Sequence, residues 1–405
     1  MLNTLKPAKV SILIFSQTMG AAESAVAEKF CNLNADQLEA VRGNIKKVTV
    51  QDGLSEHDFQ KLLPHWGSFA SVAFANLGRK KGLKKDRLPV STFVAQVNLL
   101  EGIASDQAEA LTNLFDAKWQ EAIVACVCSL LQLPSAESAA LLAFLQKDKS
   151  SNLTNMITSN RLLGELVHLP FKHLLSSKKS IMPKLSGNTT LLTPVAQLAI
   201  RSHIPVEFRD KWQLLFSSNQ HGSSFSQMAQ RVDGQGPCLL IIRSTKGHVF
   251  GLFASHGFVS GPTYTGDSLS FLFSLSPSIG IHEATGFCKK YCYLNQQQET
   301  LPNGMGIGGS SDDNWPLFLS EDYGSGIACA NSSAFEKCDL AGEKHFEIHT
   351  LEVWRVGPPP AVKQTEKSIL DKDPQAQALL ELAGKKMHST AYRDPAPLLS
   401  DGEDD

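Results

Sequence analysis

The chain has 405 residues and a mass of 44.0 kDa, with 42% apolar, 8% aromatic and 19% charged side chains. That composition excludes collagen, a coiled-coil rod and wholesale disorder, and the length predicts two or three domains. Lysine and arginine number 38 against 40 acidic residues, so the net charge of −2 provides no overall field to draw the chain to nucleic acid.

Near the N-terminus, the apolar run Val10 to Phe15 is too short for the core of a secretory signal. Met19-Gly20-Ala-Ala-Glu-Ser24 fits the N-myristoylation pattern, which operates when translation starts at Met19 and Gly20 becomes the first residue. Gly20 is therefore the expected lipidation site, with residues 1–18 an upstream leader. A single myristoyl chain binds a bilayer marginally and reversibly, so such an anchor needs a second contact. Eight cysteines at irregular intervals read as free thiols rather than a disulfide framework, and neither Cys126-x-Cys128 nor Cys288-xxx-Cys292 belongs to a zinc-ligand set. No metal and no cofactor are expected.

Residues 25–175 lack strand-like alternation and predict short helices over 55–63, 90–103, 107–131 and 138–145. Two places echo the second half of an EF-hand, Asp52-Gly53-Leu54 before Phe59 and Leu88-Pro-Val-Ser before Phe93. With Gly53 at loop position 6, positions 1 and 12 fall on Val48 and Phe59, which cannot ligate calcium. A helical pair of that shape without calcium ligands is the expectation. Residues 176–190 are polar and punctuated by Pro and Gly, which predicts a linker.

From 191 to 357 the texture changes to short β-branched and aromatic runs. Strands are predicted at 237–242, 248–254, 270–275 and 346–354, with Thr245-Lys-Gly247 turning the first into the second. In the last strand the apolar parity moves from Phe346 and Ile348 to Leu351 and Val353, which predicts a bulge that re-aims Glu352. Trp212 to Ser217 reads as a helix or an edge segment. Pro358-Pro-Pro360 closes this region. Beyond it, Asp373 as cap, Pro374 at the first turn and Gly384 past the end bound a ten-residue helix carrying Leu379 and Leu380, followed by an acidic tail.

Two catalytic patterns fail on context. Gly304-Met-Gly306-Ile-Gly308-Gly309 has dinucleotide-loop spacing, but Ser310 to Pro316 is no helix start, so these glycines read as positions of close chain approach or positive φ. Gly266-Asp-Ser-Leu269 spells the nucleophile motif of one esterase family, yet no Asp-x-x-His follows to supply the base, and a turn is expected instead. The histidines His203, His221, His248, His256 and His282 stand at no informative spacing to a carboxylate.

Several ordered blocks carry a resemblance: Trp212 to Ser218, His221-Gly-Ser-Ser-Phe225, Val249 to Ser255, Phe271 to Ser274, Thr285-Gly286, Pro302 to Gly309, and Leu351-Glu-Val-Trp354. Over roughly 190–357 the chain resembles the TLDc domain family. The helical first half, the Met-Gly start and the segment Ser368 to Glu381 extend the resemblance to the lysosomal, mTOR-associated branch of that family. The resemblance implies an α+β chain: a helical EF-hand-like domain, then a TLDc β-sandwich with small flanking helices and a C-terminal helix. It also implies a non-enzymatic adaptor on the cytoplasmic face of the lysosome. Its partners would be the vacuolar proton pump, the mTOR signalling complex and, through the lipid anchor, the lysosomal membrane surface. On this reading Gly304, Gly306, Gly308, Gly309, Glu352, Leu379 and Leu380 serve partner binding. The competing expectation is an enzyme or redox-protective protein using Glu352 with a nearby His or Cys.

Overall fold

Local sequence signals start the helical half. Asn34 and Gln37 form a reciprocal capping box that opens α1 (Ala35–Val48), with Asp36 in its first turn and Lys46 and Lys47 in its last, each placed to suit the helix dipole. In a computed structural model of the chain, residues 32–360 are described, apart from 50–52, 81, 83–86, 148–151, 176–179 and 310–313. Gly20, Leu379, Leu380 and the predicted helix over 374–383 lie outside the described residues.

After α1 come β1 (Leu54–Ser55), α2 (Glu56–Leu62), α3 (Ser68–Lys80), β2 (Arg87–Leu88) and α4 (Val90–Leu100). β1 and β2 pair antiparallel, Leu54 opposite Leu88, which couples two helix–loop–helix units side by side. Phe59, which the loop count puts at the last ligand position, is fully buried; the neighbouring Asp58 faces the loop instead. Its partner cation is internal: the Arg87 guanidinium lies 3.2 Å from the Asp58 carboxylate and donates to the Gly53 carbonyl at 2.8 Å. Burial opposes ionisation of Asp58, but the Ser55 N–H and hydroxyl together with Arg87 outweigh it and hold the carboxyl below its ordinary range.

α5 (Ala104–Phe115), α6 (Trp119–Leu131), α7 (Ser135–Leu145), α8 (Leu153–Ser159) and α9 (Arg161–His168) complete this half. The single helix expected over 107–131 is thus two, broken at Asp116, where φ is +53°. The break folds α6 back so that Leu111, Leu114 and Phe115 share one core with Ile123, Cys126 and Val127. Aromatic rings fill its centre: Trp66 lies 4.4 Å from Phe115 and 5.2 Å from Phe171 between ring centroids.

The second half comprises β3 (Lys184–Ser186), α10 (Pro194–His203), β4 (Lys211–Ser217), α11 (Ser218–His221), α12 (Phe225–Val232), β5 (Cys238–Ser244), β6 (Val249–Ala254), β7 (Phe271–Ser276), β8 (Gly280–Glu283), β9 (Cys292–Asn295), β10 (Gly304–Ile307), β11 (Leu317–Ser320), β12 (Ser325–Ile327) and β13 (His345–Val356). The strands run in the order β8-β7-β6-β5-β13-β12-β11-β10-β9. β13 joins two sheets, because its first residues pair with β12 while its last pair with β4, and β4 in turn takes β3 alongside in parallel. Successive side chains on a strand point to opposite faces. Leu240 and Ile242 of β5 accordingly fill the core between the sheets, while Leu239 and Ile241 fill a second core with Trp212, Phe253, Phe273 and Trp354. The predicted bulge is present: the register against β5 shifts between Ile348 and Thr350, and this brings Phe346, Leu351 and Val353 into the same core despite their change of parity.

The polar stretch expected as a linker is, over 184–190, part of the second half: β3 extends the sheet, and Thr189 and Thr190 bind β13. α10 joins the halves. Val195, Leu198 and Ala199 lie in the core of the helical half, whereas Ile200 and the following Ile204 lie under the sheet. Around this helix, Glu137 accepts from the Val195 N–H at 3.0 Å, Glu165 bridges Arg201 at 2.8 Å and also Arg209, Arg161 pairs with Glu283 at 2.8 Å, and Lys147 donates to the Ile279 carbonyl. No helix among the described residues is long and apolar enough to cross a membrane.

Candidate functional site

The esterase-like motif lies on the turn before β7, and it folds there with several hydroxyls. Ser255, at the end of β6, has its Oγ 2.9 Å from Ser270 Oγ and 3.2 Å from His256 Nδ1. Asp267 donates its backbone N–H to Ser255 Oγ at 3.2 Å, and its carboxylate lies 3.8 Å from His256, again at Nδ1. A relay needs the hydroxyl on one ring nitrogen and the carboxylate on the other, so that the ring can take a proton while being oriented. Here both address the same nitrogen, and Ser255 is buried. Ser268, the motif's own serine, is exposed and its hydroxyl meets Tyr291. The remaining bonds build a turn, as its composition predicts: the Leu269 N–H donates to Asp267 Oδ1 at 2.9 Å, and the Ser270 N–H to the Asp267 carbonyl at 3.1 Å.

Among the described residues, Cys126, Cys238, Cys292 and Cys338 are buried packing groups. Burial pushes Cys126, Cys292 and Cys338 up to about 12 and Cys238 well above its ordinary value, which leaves almost no thiolate at neutral pH. Ser270 Oγ, 3.9 Å from Cys292 Sγ, only partly offsets this at Cys292. No group of three or more His, Cys, Asp or Glu able to hold a metal ion occurs among the described residues.

Glu352, on β13 just after the bulge, is 1% exposed. One carboxylate oxygen accepts from Thr189 Oγ1 at 2.7 Å and Trp354 Nε1 at 3.0 Å; the other accepts from the Thr190 N–H at 2.7 Å and Thr190 Oγ1 at 3.1 Å. Four donors thus close on a buried acid, and no histidine or cysteine is among them. This corrects both sequence readings of Glu352, as a partner contact and as the acid of a His or Cys pair: its side chain has no free surface, and its partners clasp the start of the second half onto β13. The signal available in the sequence was Thr189-Thr190, but its partner stands more than 160 residues away.

In the glycine run Gly304, Gly306 and Gly309 are likewise buried, while Gly308 is half-buried. Gly304 and Gly306 are buried residues of β10, and a Cβ on Gly306 would meet the Leu317 carbonyl at 2.6 Å and the Phe318 ring at 2.8 Å. Gly308 has φ +71°, and a Cβ on Gly309 would fall within the Trp315 ring. These positions let aromatic neighbours lie flat on the backbone, and that packing uses up the surface a partner would need. Trp315 and Phe318 lie 4.6 Å apart between ring centroids with their planes tilted, and the Tyr264 hydroxyl donates to the Gly309 carbonyl at 2.8 Å.

Residues 185–357 match the family model of the TLDc domain. Among curated proteins, the chain is similar to MTOR-associated protein MEAK7 of Gallus gallus, 44% identical over 210 residues, which is 51% of this chain and 44% of that protein. It is 38% identical over 212 residues to the Homo sapiens protein of the same name, 51% of this chain and 46% of the relative. Oxidation resistance protein 1 of Bos taurus is 26% identical over 202 residues, 49% of this chain and 22% of that protein. The chain spans about half the length of the MEAK7 relatives it matches, 44% of one and 49% of another.

Proposed function

We propose that the chain, whose residues 185–357 match the TLDc domain model, is a non-enzymatic adaptor at the cytoplasmic face of the lysosome, binding the vacuolar proton pump through this region and supporting mTOR signalling. The observation that carries the reading is the similarity, at 44% and 38% identity, to proteins whose names record association with mTOR. The pump and the lysosome enter from the resemblance of the TLDc blocks. The hydroxyl cluster at Ser255 and the buried thiols lack the arrangement a nucleophilic enzyme requires, which favours an adaptor. Gly20 is the proposed acylation site, and mass spectrometry of the N-terminus in cells should find a myristoylated glycine there.

Leu379 and Leu380 carry the proposed second arm, a short helix too weak to stand alone and stabilised by docking. The experiment is capture of the full chain by purified vacuolar proton pump during ATP hydrolysis. Saturable capture, weakened by L379D/L380D with no change in melting temperature, supports the reading. Absence of capture by a pump that is hydrolysing ATP overturns it.

A second reading is favoured by the similarity to oxidation resistance protein 1 at 26% identity. It places the chain in oxidative-stress protection, and it requires peroxide consumption or a reactive thiol in the purified protein.

A further inference from the structure

Phe287 is 89% exposed, more than any other large apolar side chain among the described residues. It stands on a pinned turn between β8 and β9. Ala284 bridges Phe335, the Thr285 N–H donates to the Ala334 carbonyl at 3.0 Å, and the Thr285 hydroxyl donates to the Ser333 carbonyl at 2.5 Å. The Phe287 N–H returns to Thr285 Oγ1 at 3.4 Å, and the Lys290 N–H is 3.4 Å from Cys288 Sγ. Gly286 turns the chain at φ +81°. A backbone held this way presents the phenyl ring outward instead of letting it fold back onto apolar surface.

Two exposed lysines follow, Lys289 and Lys290, the second with its Nζ 5.7 Å from the Tyr264 ring centroid. Neither has a carboxylate within ion-pair distance among the described residues. Of the nearby acids, Glu283 pairs with Arg161 at 2.8 Å, Asp267 lies 3.8 Å from His256, and the exposed Glu336 accepts from the Glu283 N–H at 3.3 Å. Leu269, 55% exposed, stands on the neighbouring loop, which Thr265 attaches to Cys292 at the start of β9.

The geometry points to this turn as a membrane-contact site that seats Phe287 in the interface of a bilayer containing anionic lipid, with Lys289 and Lys290 against the headgroup phosphates. Charge selects the occupant. A projecting aromatic tip beside unneutralised lysines complements a negatively charged interface, where the ring leaves water and the ammonium groups stay at headgroup level. The site is independent of the pump, and its test contains none.

Full chain produced without acylation is floated with vesicles of phosphatidylcholine alone or with added phosphatidylserine. Binding is expected with phosphatidylserine and to weaken as salt rises. F287D should lower the partition roughly tenfold. K289E/K290E should lower it by about fivefold per lysine and flatten the salt dependence. Both variants should keep the parent melting temperature, because all three side chains are exposed. Equal binding to both vesicle types, or F287D binding like the parent, overturns the proposal. So does the absence of binding to phosphatidylserine vesicles.

Discussion

Glu352 shows how one side chain can govern a domain boundary. A carboxylate 1% exposed with no cation bonded to it is stable only because four donors converge on it. Substitution by alanine strands the Thr190 N–H and the Trp354 indole N–H, and should cost roughly 3 to 5 kcal/mol in urea unfolding. The glutamine variant discriminates further. Each oxygen of Glu352 faces one group that can only donate, the Thr190 N–H at one and the Trp354 indole N–H at the other, so an amide NH2 in either place would oppose an N–H even if the threonine hydroxyls turned to accept. Glu352→Gln should therefore lose about 1 to 3 kcal/mol despite its matching shape. A glutamine variant as stable as the parent would mean that Thr189 and Thr190 do not depend on the carboxylate.

At the scale of elements, legibility followed side-chain pattern. β5, β6 and β7 are largely apolar and β13 alternates apolar with polar residues, so all four were readable, including the bulge in β13 from its parity change. β10 was not, because Gly304 and Gly306 carry no side chain to register, although the strand pairs with β9 on one edge and β11 on the other. The missing side chains are the reason it pairs so closely: Phe318 of β11 lies across the glycine backbone. Gly306→Val should then force apart β10 and β11 and cost about 2 to 4 kcal/mol by thermal or urea unfolding, although valine favours strands on exposed sheets. A neutral effect would show that the ring moves aside without cost. The break between α5 and α6 escaped the sequence for a related reason, since helix-compatible residues run across Asp116 and only the shared core demands the reversal.

At the scale of the whole molecule, the two halves meet across charged and titratable groups. His203 is held below its ordinary value by burial, with Arg161 and Arg209 adding to the effect and the Ala199 carbonyl and Glu283 opposing it. His282 is lowered by burial and by Lys147. Both histidines therefore bind protons less readily in the folded chain than in the unfolded one, whose value is near 6.5. Stability is fully present above that value and is lost as pH falls through the folded values below it. The urea midpoint should drop between about pH 7.5 and about pH 5.5, and replacing both histidines with glutamine should reduce that dependence. A midpoint unchanged over this range would rule out the linkage. Asp58 acts in the same direction only at lower pH, because its carboxyl is already below the ordinary value of 3.8.

The sequence by itself determined the α+β order of the chain, the helical texture of the first half, the four strongest strands, the bulge in β13 and the turn at Gly266 to Leu269. Each of these rests on periodicity or turn chemistry within a few residues, and such signals are local. The tertiary structure alone decided that α10 would divide its faces between two cores, that Thr189 and Thr190 would close on Glu352, that the glycine run would lie inside a sheet, and that Phe287 would project from a pinned turn. In each case the deciding contact joins residues far apart in the chain, where no local pattern records which partner will arrive or what surface will remain uncovered.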